Sequence, residues 1–239
     1  MATMEIKNQI ALVTGANRGI GRSLVAELQH RGVAKVYAAA RRPETVDVPG
    51  VVPLRLDITD DASVAAAAAA ATDVTMLINN AGVGTLAKLV EGTEADIRLE
   101  METNYFGTLR MVRAFAPVLK ANGGGAVLNV LSVMAWMAYE HSNSYSASKA
   151  AAWALTNGIR LELAGQGTRV TGLAMASVDT DMMAWADIDK TDPAEIARIA
   201  VDGIEADAME VLGDEQTRQW KARLGEDPAL LYPQLADVQ

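Results

Sequence analysis

The stretch TGANRGIG, residues 14–21, does most to predict the fold of this chain. It follows directly on the apolar run Ile10–Thr14 and opens a segment of helical character over residues 18–30. The first glycine allows a tight turn, whereas the later two let backbone approach a ligand and let helix pack on strand. Because free N–H groups at a helix start bind phosphate, the pattern predicts a pyrophosphate-binding turn; a glycine-rich turn without a ligand is the alternative. The predicted contacts in this turn are Gly15, Asn17, Arg18, Gly19, Ile20 and Gly21.

Short apolar runs alternate with longer amphipathic or alanine-rich stretches along the rest of the chain. Most of the short runs lack a polar–apolar alternation, which is typical of strands covered on both sheet faces. The predicted strands are Ile10–Thr14, Lys35–Ala39, Val52–Leu56, Val74–Asn79, Ala126–Leu131 and Arg169–Ala174, and the predicted helices cover residues 18–30, 62–71, 94–121 and 145–164. We therefore predict an α/β fold, a single-domain Rossmann-type doubly wound parallel sheet flanked by helices on both faces.

The last fifth of the chain continues this pattern. Asp192 and Pro193 predict a helix start, with Glu195 placed to reach back to the helix N-terminus. A short strand near Met209–Leu212 and a last helix from about Asp214 are expected to follow.

Composition limits the classes of protein that remain. The chain has 239 residues, half of them hydrophobic, so one domain over 1–239 is expected, with a pocket loop at about 176–192 and a divergent C-terminal segment at 193–239. A formal net charge of −9 argues against a nucleic-acid partner. No apolar run has membrane-spanning length and residues 1–9 hold no signal core, so a cytoplasmic protein without a membrane partner is expected. The lack of cysteine and the isolation of His30 and His141 argue against a metal site.

Two further motifs lie at separate places in the chain. Residues 79–82, Asn-Asn-Ala-Gly, close the fourth predicted strand, and residues 145–149, Tyr-Ser-Ala-Ser-Lys, begin the fourth predicted helix. With the G-x3-G-x-G spacing, they resemble the motifs of the short-chain dehydrogenase/reductase family over about 8 to 182. The resemblance implies hydride transfer between a nicotinamide dinucleotide and a carbonyl or alcohol carbon, as in an NADPH-dependent carbonyl reductase (ketoreductase). It also implies that Asn80, Ala81 and Gly82 let the cofactor ribose lie against backbone, a tight strand-to-loop turn being the alternative.

The end of the second predicted strand indicates which dinucleotide is bound. NAD-preferring enzymes usually carry an acid here for the ribose 2′-hydroxyl, but this chain has Arg41 and Arg42. A guanidinium suits a 2′-phosphate, and Arg18 is placed to close on the same phosphate, so NADP(H) is the predicted cofactor. Exposed arginines of no consequence are the alternative. The resemblance further implies that Asp57 and Ile58 hold the adenine, although Asp57 alternatively caps the next helix.

Four polar residues are the predicted catalytic groups. Tyr145 and Lys149 are four apart at a helix start and share one face. Because free tyrosine titrates at about pH 10, a neighbouring lysine ammonium and a positive nicotinamide ring are expected to lower its pKa. Ser132 directly follows the fifth predicted strand, at the carboxyl edge where doubly wound sheets bind ligands, and is placed to donate to a substrate oxygen. In the family, the lysine also bonds the nicotinamide ribose, and the residue matched by Asn104 holds a water that links the lysine to solvent.

The chain departs from the family after the sixth predicted strand. Family members usually have Pro-Gly where this chain has Met175 and Ala176, whereas Val178 and Thr180 keep the positions that hold the nicotinamide carboxamide. The replacement is expected to reshape the substrate pocket, because alanine does not share the backbone freedom of glycine. An open, apolar pocket for bulky or aromatic ketones is the hypothesis, with core packing or dimer contact as the alternative. Its predicted lining is Met134, Trp136, Ala176, Ser177, Met182, Met183 and Trp185.

Two other functions stay open. One is another reaction on the same scaffold, such as epimerisation or dehydration, although such relatives tend to have a separate substrate domain. The other is a non-catalytic protein that senses the NADP redox state, although such proteins typically lose the Tyr/Lys pair. The resemblance also implies a homodimer or homotetramer paired through helices over residues 104–121 and 145–164.

Overall fold

The fold is built on a single parallel sheet. The structure, a computed structural model, describes residues 4–233 and 235, and within them seven strands lie in the order β3-β2-β1-β4-β5-β6-β7. Residues 1–3, 234 and 236–239 of the predicted domain lie outside the described residues. The strands are β1 (Ile10–Thr14), β2 (Lys35–Ala40), β3 (Val52–Arg55), β4 (Met76–Asn79), β5 (Gly125–Val130), β6 (Thr168–Ala174) and β7 (Glu210–Leu212). The predicted doubly wound sheet is confirmed.

Helices cover both faces of the sheet. They are α1 (Gly19–His30), α2 (Asp61–Ala70), α3 (Glu94–Met101), α4 (Thr108–Ala121), α5 (Asn143–Leu163), α6 (Pro193–Glu205), α7 (Glu215–Ala222) and α8 (Pro228–Leu231). On one face, α1 and α6 bury residues such as Leu24 and Ile196 against the strands. On the other face, α2, α4 and α5 bury residues such as Phe115 and Ile159. This double covering explains why the strands are apolar without alternation.

The helix predicted over residues 94–121 is not continuous. A π-helical segment, Glu102–Gly107, separates α3 from α4. Gly107 packs directly on Ile58, and a Cβ atom at position 107 would lie 2.7 Å from the Ile58 Cδ1 atom. The Thr108 hydroxyl donates to the carbonyl of Asn104 over 2.9 Å and so satisfies a backbone group within the irregular segment. Such π segments are frequent at functional sites, and this one carries a predicted catalytic residue.

Other boundaries differ only slightly from the prediction. β4 starts two residues late, at Met76, because the Val74 N–H closes the turn after α2 on the Ala71 carbonyl (3.4 Å). Asp192 caps α6 as expected, through the Ala194 N–H at 2.7 Å. Glu195 does not complete that cap, since its carboxylate pairs with the Arg198 guanidinium instead.

No helix within the described ranges is long and apolar enough to cross a membrane. In the same residues, no group of three His, Asp or Glu side chains is arranged to hold a metal ion.

Candidate active site

The glycine-rich turn joins β1 to α1 at the carboxyl edge of the sheet. Gly15 and Gly19 have φ angles of +65° and +51°, in the left-handed region that favours glycine. A side chain at Gly21 would overlap the Gly15 carbonyl oxygen, so this glycine is needed for close packing. No side chain caps the N-terminus of α1, which leaves its first N–H groups available to an anion.

Thr14 fastens the glycine turn to the loop after β4. Its buried hydroxyl oxygen accepts hydrogen bonds from the N–H groups of Asn80 (3.0 Å) and Ala81 (2.9 Å). The Asn80 amide donates in return to the carbonyls of Thr14 (2.9 Å) and Gly15 (3.2 Å). Asn80 therefore shapes the turn through its side chain, and any ribose contact by this residue falls to its backbone. Sequence reasoning missed Thr14; the available signal was a polar residue at the end of an otherwise apolar strand.

The predicted catalytic residues come together where β4 and β5 end. Lys149 is buried, its Nζ atom donates to the Val130 carbonyl over 2.9 Å, and it lies 5.6 Å from the centre of the Tyr145 ring. Ser132 follows β5, and its hydroxyl accepts from the Met134 N–H over 3.1 Å. A Cβ atom at Gly82 would lie 3.7 Å from the Lys149 Nζ atom, so the absence of a side chain keeps this face of the lysine open.

Asn104 holds the loop after β4 against α5. Its side-chain oxygen accepts from the Val83 N–H (2.9 Å), and its amide donates to the Val83 carbonyl (2.9 Å) and the Ser148 hydroxyl (2.9 Å). Its backbone carbonyl accepts from Thr108. These bonds use both amide hydrogens, so a bound water, as predicted, would have to donate to the backbone carbonyl or to the second lone pair of the side-chain oxygen.

Burial dominates the protonation of the tyrosine and the lysine. Burial raises the pKa of Tyr145, Ser132 lowers it by hydrogen bonding, and the negative charge of Glu100 raises it further. Burial lowers the pKa of Lys149 to about 8. In the chain by itself the pKa of Tyr145 is therefore raised, and Lys149 is not among the groups that shift it. The lowering expected from the lysine and a nicotinamide ring together stays a prediction for the cofactor-bound protein. At neutral pH the Tyr145 hydroxyl keeps its proton.

The two arginines that follow β2 are exposed and can meet a ligand. Neither Arg41 nor Arg42 forms an ion pair within the part of the chain that the structure describes. Arg18 instead pairs with Asp181 over 3.2 Å, both side chains being largely exposed. Arg55, the last residue of β3, was not predicted as a site residue, because the sequence does not show that the end of β3 lies beside the end of β2. A cavity of about 400 Å³ is lined by Arg41, Arg55, Asp57, Asp60, Ser63 and Ala66.

The predicted adenine-binding residues have strong local contacts. The Asp57 carboxylate accepts from the Thr59 hydroxyl (2.7 Å) and N–H (2.9 Å), which lowers the pKa of this carboxyl. The cap of α2 is Asp60, not Asp57. The Ile58 side chain is buried against Gly107, so a ligand would meet its backbone.

The segment after β6 holds Val178 and Thr180, the residues predicted to hold the nicotinamide. Val178 is buried and pairs with Thr191 in an isolated parallel bridge, which closes the base of the loop between them. The Thr180 methyl group lies 3.2 Å from a Cβ position at Gly19, so this loop reaches the glycine turn. Asn17 donates to the Thr45 hydroxyl (3.1 Å) and supports the turn from the β2 side.

The predicted pocket residues separate into two groups. A Cβ atom at Gly84 would lie 3.5 Å from the Tyr145 ring and 3.9 Å from the Met182 sulfur, which places Met182 at the tyrosine. Trp185 is exposed in the same loop, and Met134, Ala176, Ser177 and Met183 are half-buried. Trp136 lies elsewhere: its ring packs edge-on against Trp153 (6.5 Å between centres), under the Lys221 ammonium (4.4 Å). Trp136 was predicted to line the same pocket as Met182, but its indole joins a separate apolar cluster beneath α7.

A parallel doubly wound sheet with a glycine turn at its switch point, and a Ser/Tyr/Lys group at the same edge, defines a dinucleotide-dependent oxidoreductase. The short chain dehydrogenase family model matches residues 9–190, and the chain belongs to this family.

Similar proteins agree with this assignment. A short chain dehydrogenase from Burkholderia cenocepacia, whose crystal structure is a complex with NADP, shares 41% sequence identity with a TM-score of 0.92, covering 97% of this chain and 99% of that one. An uncharacterized oxidoreductase of Staphylococcus saprophyticus is 28% identical over 83% of this chain and 92% of its own length. The NADPH-dependent 1-acyldihydroxyacetone phosphate reductase of Schizosaccharomyces pombe is 33% identical over 72% of this chain and 60% of its own. The protein is an oxidoreductase of the short-chain dehydrogenase family.

Proposed function

We propose that the protein reduces the carbonyl group of apolar ketones or aldehydes with NADPH, and catalyses the reverse alcohol oxidation. The observation that carries this proposal is the grouping of Ser132, Tyr145 and Lys149 beside the glycine turn, with Tyr145 holding its proton at neutral pH. A reductase needs such a proton donor at the oxygen that becomes an alcohol.

The protein's own residues have separate tasks in this reaction. The Ser132 hydroxyl donates to the carbonyl oxygen and holds it toward Tyr145. NADPH, when bound, supplies the hydride for the carbonyl carbon. The Tyr145 hydroxyl gives its proton to the resulting alkoxide oxygen. Once that oxygen is a neutral hydroxyl, the single Ser132 proton can turn back to Tyr145 and stabilise the phenolate left behind. Lys149, held on the Val130 carbonyl, places a positive charge beside that phenolate while its ammonium form persists.

The donor groups at the cofactor edge fit NADPH better than NADH. The uncapped N-terminus of α1 suits the pyrophosphate, and Arg41 and Arg42 have no other ion-pair partner within the described chain. A guanidinium forms paired hydrogen bonds to phosphate, whereas a 2′-hydroxyl gains nothing from a second positive charge. The NADP complex of the Burkholderia relative supports the same preference. Arg18 can bind the same phosphate only if its ion pair with Asp181 breaks.

The rim around Tyr145 supports a bulky or aromatic ketone as substrate. Met182 and Tyr145 both border Gly84, and Trp185 and Ile188 expose more than half of their surface in the same loop as Met182. Leu86 and Leu89 are exposed on the opposite loop, after Gly84. Apolar surface of this extent around a cleft favours binding of apolar ligands. Acidic residues in the same loop oppose anionic substrates: Asp179, Asp181, Asp187 and Asp189.

The test is consumption of NADPH and NADH with a panel of aromatic, bulky aliphatic and small polar ketones, run beside Tyr145→Phe. We expect turnover with NADPH and aromatic ketones, and its loss in the variant despite unchanged NADPH binding. Turnover of small polar ketones or sugars alone would contradict the substrate class. NADPH binding without turnover of any carbonyl would favour the NADP-sensing alternative, and product without net NADPH consumption would favour another reaction on the scaffold.

We also propose a homodimer or homotetramer in the cytoplasm, as the family resemblance implies. Exposed apolar side chains support pairing of subunits through α4 and α5: Leu161 on α5 is 81% exposed, and Phe106, just before α4, is 42% exposed. Light scattering on the purified protein tests the oligomeric state, and a monomer would contradict it.

A further inference from the structure

Asp214 connects the C-terminal segment to the segment that replaces the family's Pro-Gly. Its Oδ1 atom accepts from the Thr217 N–H over 2.7 Å and so caps α7. Its Oδ2 atom accepts from the Ala176 N–H, also over 2.7 Å. Ala176 is the second residue after β6, where the chain turns toward Val178 and Thr180. The Asp214 carboxylate thus joins the start of α7 to a segment that lies 38 residues earlier in the chain.

The peptide preceding Ala176 is held from both sides. The Val133 N–H, next to the predicted catalytic serine, donates to the Met175 carbonyl over 2.9 Å. The Gly213 N–H donates to the Ala174 carbonyl over 2.8 Å, and a Cβ atom at Gly213 would lie 3.1 Å from that of Met175. The segment that follows β6 therefore has fixed partners in both the serine segment and the C-terminal segment.

The C-terminal segment is itself anchored to the serine segment. The Lys221 ammonium on α7 bonds Glu210 over 2.9 Å and lies 4.4 Å above the Trp136 ring. The Tyr232 hydroxyl oxygen accepts from the Ala138 N–H over 2.9 Å. Because α7 is fixed in this way, the Asp214 carboxylate cannot move freely with the Ala176 segment, and it can define where that segment lies.

We propose that Asp214 is a positioning residue, which sets the nicotinamide side of the active site by holding the Ala176 N–H. Proline restrains a backbone through its ring, whereas Met175 and Ala176 supply no such restraint. A hydrogen bond from backbone N–H to a carboxylate is stronger than one to a neutral acceptor, and here it supplies the missing restraint. The proposal rests on the proposed reductase function only for its kinetic test.

The test uses two substitutions at position 214. Asp214→Asn has one oxygen where the carboxylate has two, so it can cap α7 or accept from Ala176, but not both. Asp214→Ser keeps the α7 cap and is too short to reach Ala176. The matched control is Asp227→Asn, the same change at the α8 cap, where the carboxylate accepts only from nearby N–H groups of α8 such as that of Ala229 (2.9 Å).

For Asp214→Ser we expect kcat to fall about tenfold, as when a hydrogen bond to a charged group is lost. The Kd of NADPH should change little, and the isotope effect with deuterated NADPH should rise as hydride transfer becomes slower. The Ala176 amide should exchange with deuterium faster than in wild type, while the Thr217 amide stays protected. Asp227→Asn should match wild type in all these measurements.

A different result is expected if Asp214 serves only to cap α7. In that case Asp214→Ser keeps the wild-type kcat, isotope effect and Ala176 exchange, and the proposal is overturned. If the wild-type protein reduces no carbonyl, the proposed function fails separately. Amide exchange of Ala176 and the fluorescence of bound NADPH then still decide whether Asp214 positions this segment: unchanged values in Asp214→Ser overturn the proposal, and altered values support it.

Discussion

Replacing Thr14 by valine is expected to destabilise the protein and loosen its glycine turn. Valine has nearly the shape of threonine, so the buried site keeps its packing while the hydroxyl is lost. That hydroxyl accepts from two backbone N–H groups, those of Asn80 (3.0 Å) and Ala81 (2.9 Å). Its own donation, to the Ile78 carbonyl at 3.4 Å, is long and contributes less.

The magnitude follows from the two donors that lose their acceptor. Leaving one buried donor unsatisfied costs about 1–3 kcal/mol, and because these two bonds are only partly buried, Thr14→Val should lower the free energy of unfolding by about 3 kcal/mol in total. For a chain of this length, such a loss corresponds to a Tm about 6–12 °C lower. The Kd of NADPH should also rise, because the turn that faces the pyrophosphate is no longer fastened to the loop after β4.

Urea denaturation followed by tryptophan fluorescence measures the loss, with Thr171→Val as the matched control. Thr171 is equally buried, but its hydroxyl only donates, to the Ala208 carbonyl at 2.7 Å, and it lies on β6 away from the turn. An unfolding free energy in Thr14→Val no lower than in Thr171→Val would refute the reasoning.

Three further predictions concern the cofactor and the residues around the predicted catalytic groups. Arg41→Ala with Arg42→Ala should lower the NADPH-over-NADH ratio of kcat/KM at least about tenfold, the value of one lost charge-assisted bond, whereas Arg113→Ala on α4 should leave it unchanged. Burial lowers the pKa of Lys149 to about 8 from 10.5, so between these pH values the unfolded chain binds a proton that the folded chain does not. The free energy of unfolding of the wild type, relative to that of Lys149→Met, should therefore rise from pH 8 to pH 10.5. A difference between the two proteins that stays constant over this range in urea denaturation would contradict this prediction. Gly82→Ala places a Cβ atom 3.1 Å from the Asn104 side-chain oxygen and should lower kcat with little loss of stability; an unchanged kcat would show that the Asn104 contacts tolerate the shift.

Patterns confined to one element were predicted well from the sequence. Ile10–Thr14 was given its observed bounds, and the glycine turn lies where the G-x3-G-x-G spacing put it. Each of these features follows from local chemistry: strand hydrophobicity in the first case and backbone freedom at glycine in the second.

Features that depend on partners distant in sequence were missed or wrong. Arg18 faces Asp181, which is 163 residues away, and Trp136 turns toward Lys221 instead of the pocket. The role of Asp214 at Ala176 could not be foreseen either, because a capping aspartate looks the same in sequence whether or not its second oxygen has a partner. Whether the pKa of Tyr145 is raised or lowered depends on how far folding buries its hydroxyl, and a sequence motif does not show this.

The π-helical segment between α3 and α4 makes chain length itself a requirement at this position. It accommodates six residues, Glu102–Gly107, with wider turns than an α-helix. Removing one of them would let the segment close into regular α-helix, in which five residues turn the chain by about 500°, nearly what six residues do in the wider turn. α3 and α4 would therefore stay close to their present positions, and Glu100 would keep the N–H and hydroxyl of Thr85, which it accepts at 2.6 and 2.8 Å. The deletion would instead shift Asn104 from its place between Val83 and Ser148, so the extra residue serves the candidate site and not the packing of the helices.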